Sequence, residues 1–171
     1  DVLLFARDDA VPASQIDFGS TTIDVLPAVV ATGDTAVTNE DEVVTVSVLA
    51  NDVGCDLEVF AFDAESQLGA KISRNEDGSL RYDPRDCEAC QALPPGQSLQ
   101  DTFAYTIQDS YGTTDTAIVT VAVEGVNDAP TVANAIADQT AMPRLVFSLT
   151  IPENAFVDVD GDPLSYTASL E

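Results

Sequence analysis

Apolar and polar residues alternate along most of this chain. Val44, Val46 and Val48 alternate with Thr45 and Ser47, and Phe103, Tyr105 and Ile107 with Ala104 and Thr106. Ala117, Val119, Val121 and Val123 do the same around Ile118 and Thr120. So do Leu145, Phe147, Leu149 and Ile151, and then Leu164, Tyr166, Ala168 and Leu170. A period of two puts each set on one face of a strand. Val and Thr dominate these runs, as strands prefer. Helical spacing is lacking, and only stretches near 64–68 and 86–92 are expected to make a turn or two. Asp, Asn, Gly and Pro separate the runs, so the pattern predicts an all-β chain of β-sandwich type.

Three sections emerge. Residues 1–32 hold two apolar stretches, Val2–Ala6 and Ile23–Val30, with no clear partner pattern. Residues 33–126 offer about seven strands. Near 126–130 the sequence VNDAP breaks the pattern, because Pro130 lacks an amide donor and Asn-Asp favours a turn. Residues 127–171 then start a new series of about three strands. That is too few for an independent sandwich, so the section is expected to be part of a second one. Both series run from a short strand through an alternating run and an acidic loop to an apolar strand, as tandem copies of one architecture do.

Charge narrows the function. Among 171 residues, 30 are acidic and 6 basic, for a formal net charge of −24. Such a surface repels nucleic acid and anionic membrane. With 45% hydrophobic residues the chain is no acidic disordered tail. No apolar run is long enough for a transmembrane helix. The first residue is Asp and no signal peptide is visible, so the chain reads as a piece of a longer protein. Composition leaves open whether the excess carboxylate serves calcium, a hard cation that takes many oxygens, or only solubility.

The chain has no histidine, which removes Ser-His, Cys-His and His-metal chemistry. No GxSxG and no phosphate-cradling glycine loop occur. With so many acids, close carboxylate pairs arise by chance, and they do not argue for glycoside hydrolysis. No enzymatic activity is therefore expected. Three cysteines are present, Cys55, Cys87 and Cys90. Cys87-Glu-Ala-Cys90 lacks the second pair that zinc needs, and no βαβ setting supports a redox site. A local structural disulfide is the leading reading, which fits an oxidising compartment.

Several stretches together carry a resemblance. TNEDEVVTVSVLANDV (38–53), DGSLRYDP (77–84) and ALPPGQSLQDTFAYTIQDSYGTTDTAIVTVAVEGVNDAP (92–130) are similar to bacterial VCBS and cadherin-like tandem repeats. FSLTIPENAFVDVDGDPLSYTASL (147–170) resembles the opening half of a dystroglycan-type cadherin-like domain. The resemblance implies tandem Greek-key β-sandwiches, the last one incomplete, with calcium at their junctions. Such repeats occur in large secreted adhesins and in accessory regions of secreted enzymes. After their second strand they carry an acidic ladder. Here NDVGCDLEV keeps Asn51, Asp52 and Asp56 but lacks most of that ladder, leaving calcium fewer ligands at the front of the first sandwich.

In a seven-strand sandwich of this kind the loops alternate between two ends. The first loop, with Glu40, Asp41 and Glu42, and the long fifth connection, ending near Asp101, should both face the VNDAP linker. The DVDGD loop should meet them across it. Glu40, Asp101, Asn127, Asp128, Asp158, Asp160 and Asp162 are therefore the expected Ca2+ ligands. Calcium needs about 6–8 oxygens at roughly 2.3–2.6 Å, and magnesium prefers a smaller octahedral shell. DVDGD is not an EF-hand loop: Gly161 falls two places early and Ser169 stands where the final Glu belongs. The same loop geometry puts Cys55 at the opposite end from Cys87 and Cys90, so a Cys87–Cys90 disulfide and a free Cys55 are predicted.

The resulting expectation is a non-catalytic, calcium-stiffened extracellular repeat of a large bacterial surface protein, acting in adhesion or as a spacer or filament component. Its partners would be neighbouring repeats of the same polypeptide, other copies in a filament or surface assembly, or glycan or protein on a target surface. Strand exchange between residues 1–32 and 131–171 of neighbouring chains is a further option. The alternative is a glycan- or protein-binding accessory module of a secreted enzyme, for which Tyr111 is the best aromatic candidate.

Overall fold

The computed structural model describes residues 28–140 and 142–167. The Val2–Ala6 stretch, the start of Ile23–Val30 and the end of the last alternating run lie outside the described residues. The strands of the first series are β1 (Asp34–Asn39), β2 (Val44–Val46), β3 (Glu58–Phe62), β4 (Lys71–Arg74), β5 (Leu80–Asp83), β6 (Ser98–Gln108) and β7 (Thr114–Glu124). They form a four-stranded sheet ordered β1-β7-β6-β3 and a three-stranded sheet ordered β2-β5-β4. The β4–β5 hairpin lies in one sheet while its flanking strands β3 and β6 pair in the other, a Greek-key arrangement.

The longest alternating runs make the longest strands. β6 and β7 pair antiparallel from Ser98↔Glu124 to Gln108↔Thr114. Their hairpin is tied by Asp109, whose Oδ1 accepts from the amides of Tyr111 and Thr113 at 2.9 and 2.8 Å. Gly112 follows with a φ of 85°, which a residue with a Cβ adopts at a cost. Phe103, Tyr105 and Ile107 of β6, with Val119, Val121 and Val123 of β7, point inward and are buried. Val46, Ile72, Leu80 and Tyr82 of the smaller sheet meet them, and the rings of Tyr82 and Phe103 stack with centroids 6.2 Å apart. Burying each such aliphatic side chain contributes about 1.5–3 kcal/mol.

β1 runs parallel to β7 from Asp34↔Val119 to Asn39↔Glu124. The chain before β1 is held to the same sandwich. Val30 bridges Val53, the Ala31 amide donates to Asp115 Oδ2 at 2.8 Å, and the Thr32 amide donates to Asp52 Oδ1 at 2.7 Å.

Several expectations differ from the structure. β2 stops at Val46, and Val48 is buried from a 3-10 turn (Val48–Ala50) instead. Residues 64–68 hold no helix but do turn, with Gly69 N donating to Ser66 O at 3.1 Å. The 86–92 region does turn, through a 3-10 turn (Pro84–Asp86) and α1 (Glu88–Gln91). Beyond the linker only β8 (Thr131–Val132) and β9 (Phe156–Val157) pair among the described residues. The runs at 145–151 and 164–167 form no strand. Leu145, Phe147 and Leu149 are exposed. An alternating run becomes a strand only where a neighbour accepts its backbone hydrogen bonds and a second layer covers its apolar face. These runs have neither among the described residues. No helix among these residues is long and apolar enough to cross a membrane.

Candidate metal centre

The β1–β2 turn places the first acid. Asn39 Oδ1 accepts from the Asp41 amide at 3.0 Å, and the Glu40 amide donates to Glu124 O at 3.1 Å. Glu40 thus extends the β1–β7 ladder by one residue while its side chain turns inward and is fully buried. Its Oε1 accepts from the Val126 amide at 2.6 Å. Its Oε2 has no partner among the described residues.

The linker and the DVDGD loop supply the other two acids. β8–β9 pairing sets Thr131 opposite Val157 and brings the loop after β9 alongside the linker. There Asp158 Oδ1 accepts from the amides of Asp160 and Asp162 at 3.1 and 3.2 Å, and Gly161 turns with a φ of 77°. The turn aims Asp160 back at the linker, where its Oδ2 accepts from the Asp128 amide at 2.7 Å. Its Oδ1 is buried without a partner. One carboxylate oxygen each from Glu40, Asp128 and Asp160 lies within 4.8 Å of the others.

Electrostatics at this cluster are unbalanced. Burial pushes Glu40 above the usual carboxylate range, and Asp128, Asp160 and Asp41 add repulsion; only the Val126 amide opposes them. Asp128 is also raised, first by burial and then by Asp41, Asp160 and Asp158. Among the described residues the ion pairs are Lys71–Glu65, Arg81–Asp83 and Arg85–Asp83, none of them at the cluster. Three converging carboxylates with two orphaned buried oxygens and no counter-charge are costly. A hard divalent cation fits them, because every donor is oxygen and none is nitrogen or sulfur.

The structure brings together Glu40, Asp128 and Asp160 of the seven expected ligands. Asp158 forms the turn behind Asp160, and Asn127 donates from Nδ2 to Asp128 O at 2.9 Å. Asp162 is exposed. Asp101 is elsewhere. β6 begins at Ser98, so Asp101 is inside the strand and points into the core. There it accepts from Ser66 Oγ, from Tyr82 Oη at 2.8 Å, and from the amides of Leu68 and Thr102 at 3.1 and 2.7 Å. With four donors it is satisfied without a cation. Burial first, and then the Asp101 carboxylate, hold the Tyr82 phenol well above its ordinary pKa.

At the opposite end, Tyr105 Oη lies 2.9 Å from Thr32 O, 3.0 Å from Asp34 Oδ2 and 3.2 Å from Asp52 Oδ1. Cys55 is free and sits at that end, its carbonyl accepting from the Ser110 amide. Cys87 and Cys90 are joined by a disulfide with Cα atoms 5.2 Å apart. The contacts around Glu40 made by Val126 and by Gln91, whose Nε2 donates to Glu40 O at 2.7 Å, leave no mark in the sequence pattern. Neither residue carries a charge that marks it.

No curated protein matches the chain. Residues 26–125, which contain the whole seven-stranded sandwich and end at the linker, match the family model of the bacterial cadherin-like domain, and the chain belongs to that family.

Proposed function

We propose that this chain is a non-catalytic, calcium-stiffened repeat module of a large bacterial surface protein. Membership of the bacterial cadherin-like family supports an extracellular adhesive or structural role. The observation that carries the calcium reading is Glu40, fully buried with an orphaned oxygen, facing an acid from the linker and an acid from the segment beyond it. Calcium supplies the charge those three carboxylates lack and takes more oxygens than magnesium, including waters and nearby carbonyls. On this reading residues 33–126 are one VCBS-like sandwich and residues 127–171 part of a second, dystroglycan-type one. The ion ties the two together, and neighbouring repeats of the same polypeptide are its partners.

The test is a calcium titration of thermal unfolding. Extracellular calcium modules bind with Kd on the order of 10⁻⁴–10⁻³ M. Calcium at about 100 times Kd should stabilise the chain by about 2.7 kcal/mol over the chelated protein. Glu40→Gln should abolish that gain and leave the metal-free protein as stable as before or more so, because it removes a repelled, buried charge. An unfolding midpoint that ignores calcium would sink the reading.

A further inference from the structure

One connection contacts both Glu40 and the strand end that leads to Val126. Residues 84–97 cross from β5 to β6 at the same end of the sandwich as Glu40. The segment winds through the 3-10 turn and α1, where Cys87 N donates to Pro84 O at 2.8 Å and Gln91 N to Cys87 O at 3.0 Å. Both sulfur-bearing residues are completely buried. The disulfide closes the turn from Cys87 to Cys90, and Gln91, the last residue of α1, follows directly. Gln91 Nε2 then donates to Glu40 O at 2.7 Å.

The second half of the same connection holds the chain just before Val126. Gln97 N donates to Pro94 O at 3.0 Å, and Gln97 O accepts from Gly125 N at 2.9 Å. Gly125 fits only because it lacks a Cβ, which would run into the carbonyl oxygens of Leu93 and Pro94. The next residue is Val126, whose amide binds Glu40 Oε1. A single loop therefore fixes the backbone of the buried acid and the amide that orients its carboxylate.

We propose that the Cys87–Cys90 loop is a positioning device for the cation site, with Gln91 as its contact residue, and that it sets calcium affinity by holding Glu40 in its buried, ligand-ready position. This rests on the calcium reading above. Without such a hold the cheapest response of Glu40 to Asp128 and Asp160 is to swing toward water. Pinned from both sides, it stays convergent before the ion arrives, and binding costs less reordering. A bridge between residues three apart closes a very small loop, so it removes less unfolded-state entropy than a long-range bridge would. Its place in the chain, one residue before the Gln91 that binds the Glu40 carbonyl, is the more telling fact.

Isothermal titration with calcium chloride tests this on the wild-type chain, Gln91→Ala and the Cys87→Ala/Cys90→Ala double variant. Groups that orient metal ligands typically change affinity by about 10–100-fold when removed, and Gln91→Ala and the double variant are each expected to weaken calcium by that order. Metal-free thermal stability of Gln91→Ala should stay close to wild type, and Tyr111→Ala, at the far end, should alter neither quantity. Unchanged Kd in Gln91→Ala overturns the proposal, even if the double variant fails to fold. So does a loss of stability in Gln91→Ala that is equal with and without calcium, which marks a purely structural contact. If wild type binds no calcium, or Glu40→Gln binds as tightly as wild type, the calcium reading itself fails, and this proposal falls with it.

Discussion

Glu40 and Asp101 are two fully buried acids with opposite circumstances. Asp101 accepts from four donors and is complete. Glu40 accepts from one amide and leaves an oxygen bare. Truncating a satisfied buried acceptor strands its donors, at about 1–3 kcal/mol each. Asp101→Ala should therefore lower stability by several kcal/mol in chemical denaturation, equally with calcium or chelator, and leave calcium affinity unchanged. The sequence held half of this distinction. Asp101 is in phase with Phe103, Tyr105 and Ile107, so alternation already pointed it inward. What it hid was the strand boundary, because Ser98–Gln100 looks like loop until the partner strand is seen to reach Glu124. Glu40 was legible as an acid in a turn, but its burial was not, since that depends on Val126 and Gln91, which lie far away in sequence.

Strong alternation with a partner marked where strands are, though not where they end. β6 and β7 carry it over eleven residues each and bury one face of each strand. The run at 145–151 alternates as clearly and forms no strand, because period alone does not supply a neighbour. The β5–β6 connection shows the reverse case. Its CxxC was visible, yet nothing in the spacing revealed that it packs on Gly125. That packing leaves no room for a side chain. Gly125→Ala should shift the loop or the strand end and cost about 1–3 kcal/mol, as overpacking does. It should also weaken calcium binding, because Val126 moves with it. A denaturation curve and a calcium titration on the same variant check both.

Across the whole molecule, acids from three separate segments meet at one place, and the linker runs through the middle of it. On the calcium reading, removing the metal leaves their repulsion to work against that closure. Limited proteolysis near residues 126–130 should be faster in chelator than in calcium, and equal rates would contradict a bridged linker. The convergence was legible in outline from loop order in a seven-strand sandwich. Its membership was not, because whether an acid ligates, caps a turn or is held in the core is settled by register and packing. The parallel pairing of β1 with β7 has one more consequence. β1 starts at Asp34 and β7 ends at Glu124 at the other pole, with six paired positions between the two strands. Tension along the polypeptide pulls these two strands in opposite directions along their length. Their hydrogen bonds are then loaded in shear and must yield together, where a hairpin pulled from its open end would unzip one bond at a time. Glu40 adds the final rung, through its amide to Glu124, so on the calcium reading the proposed ion would sit at the end of this shear-loaded ladder.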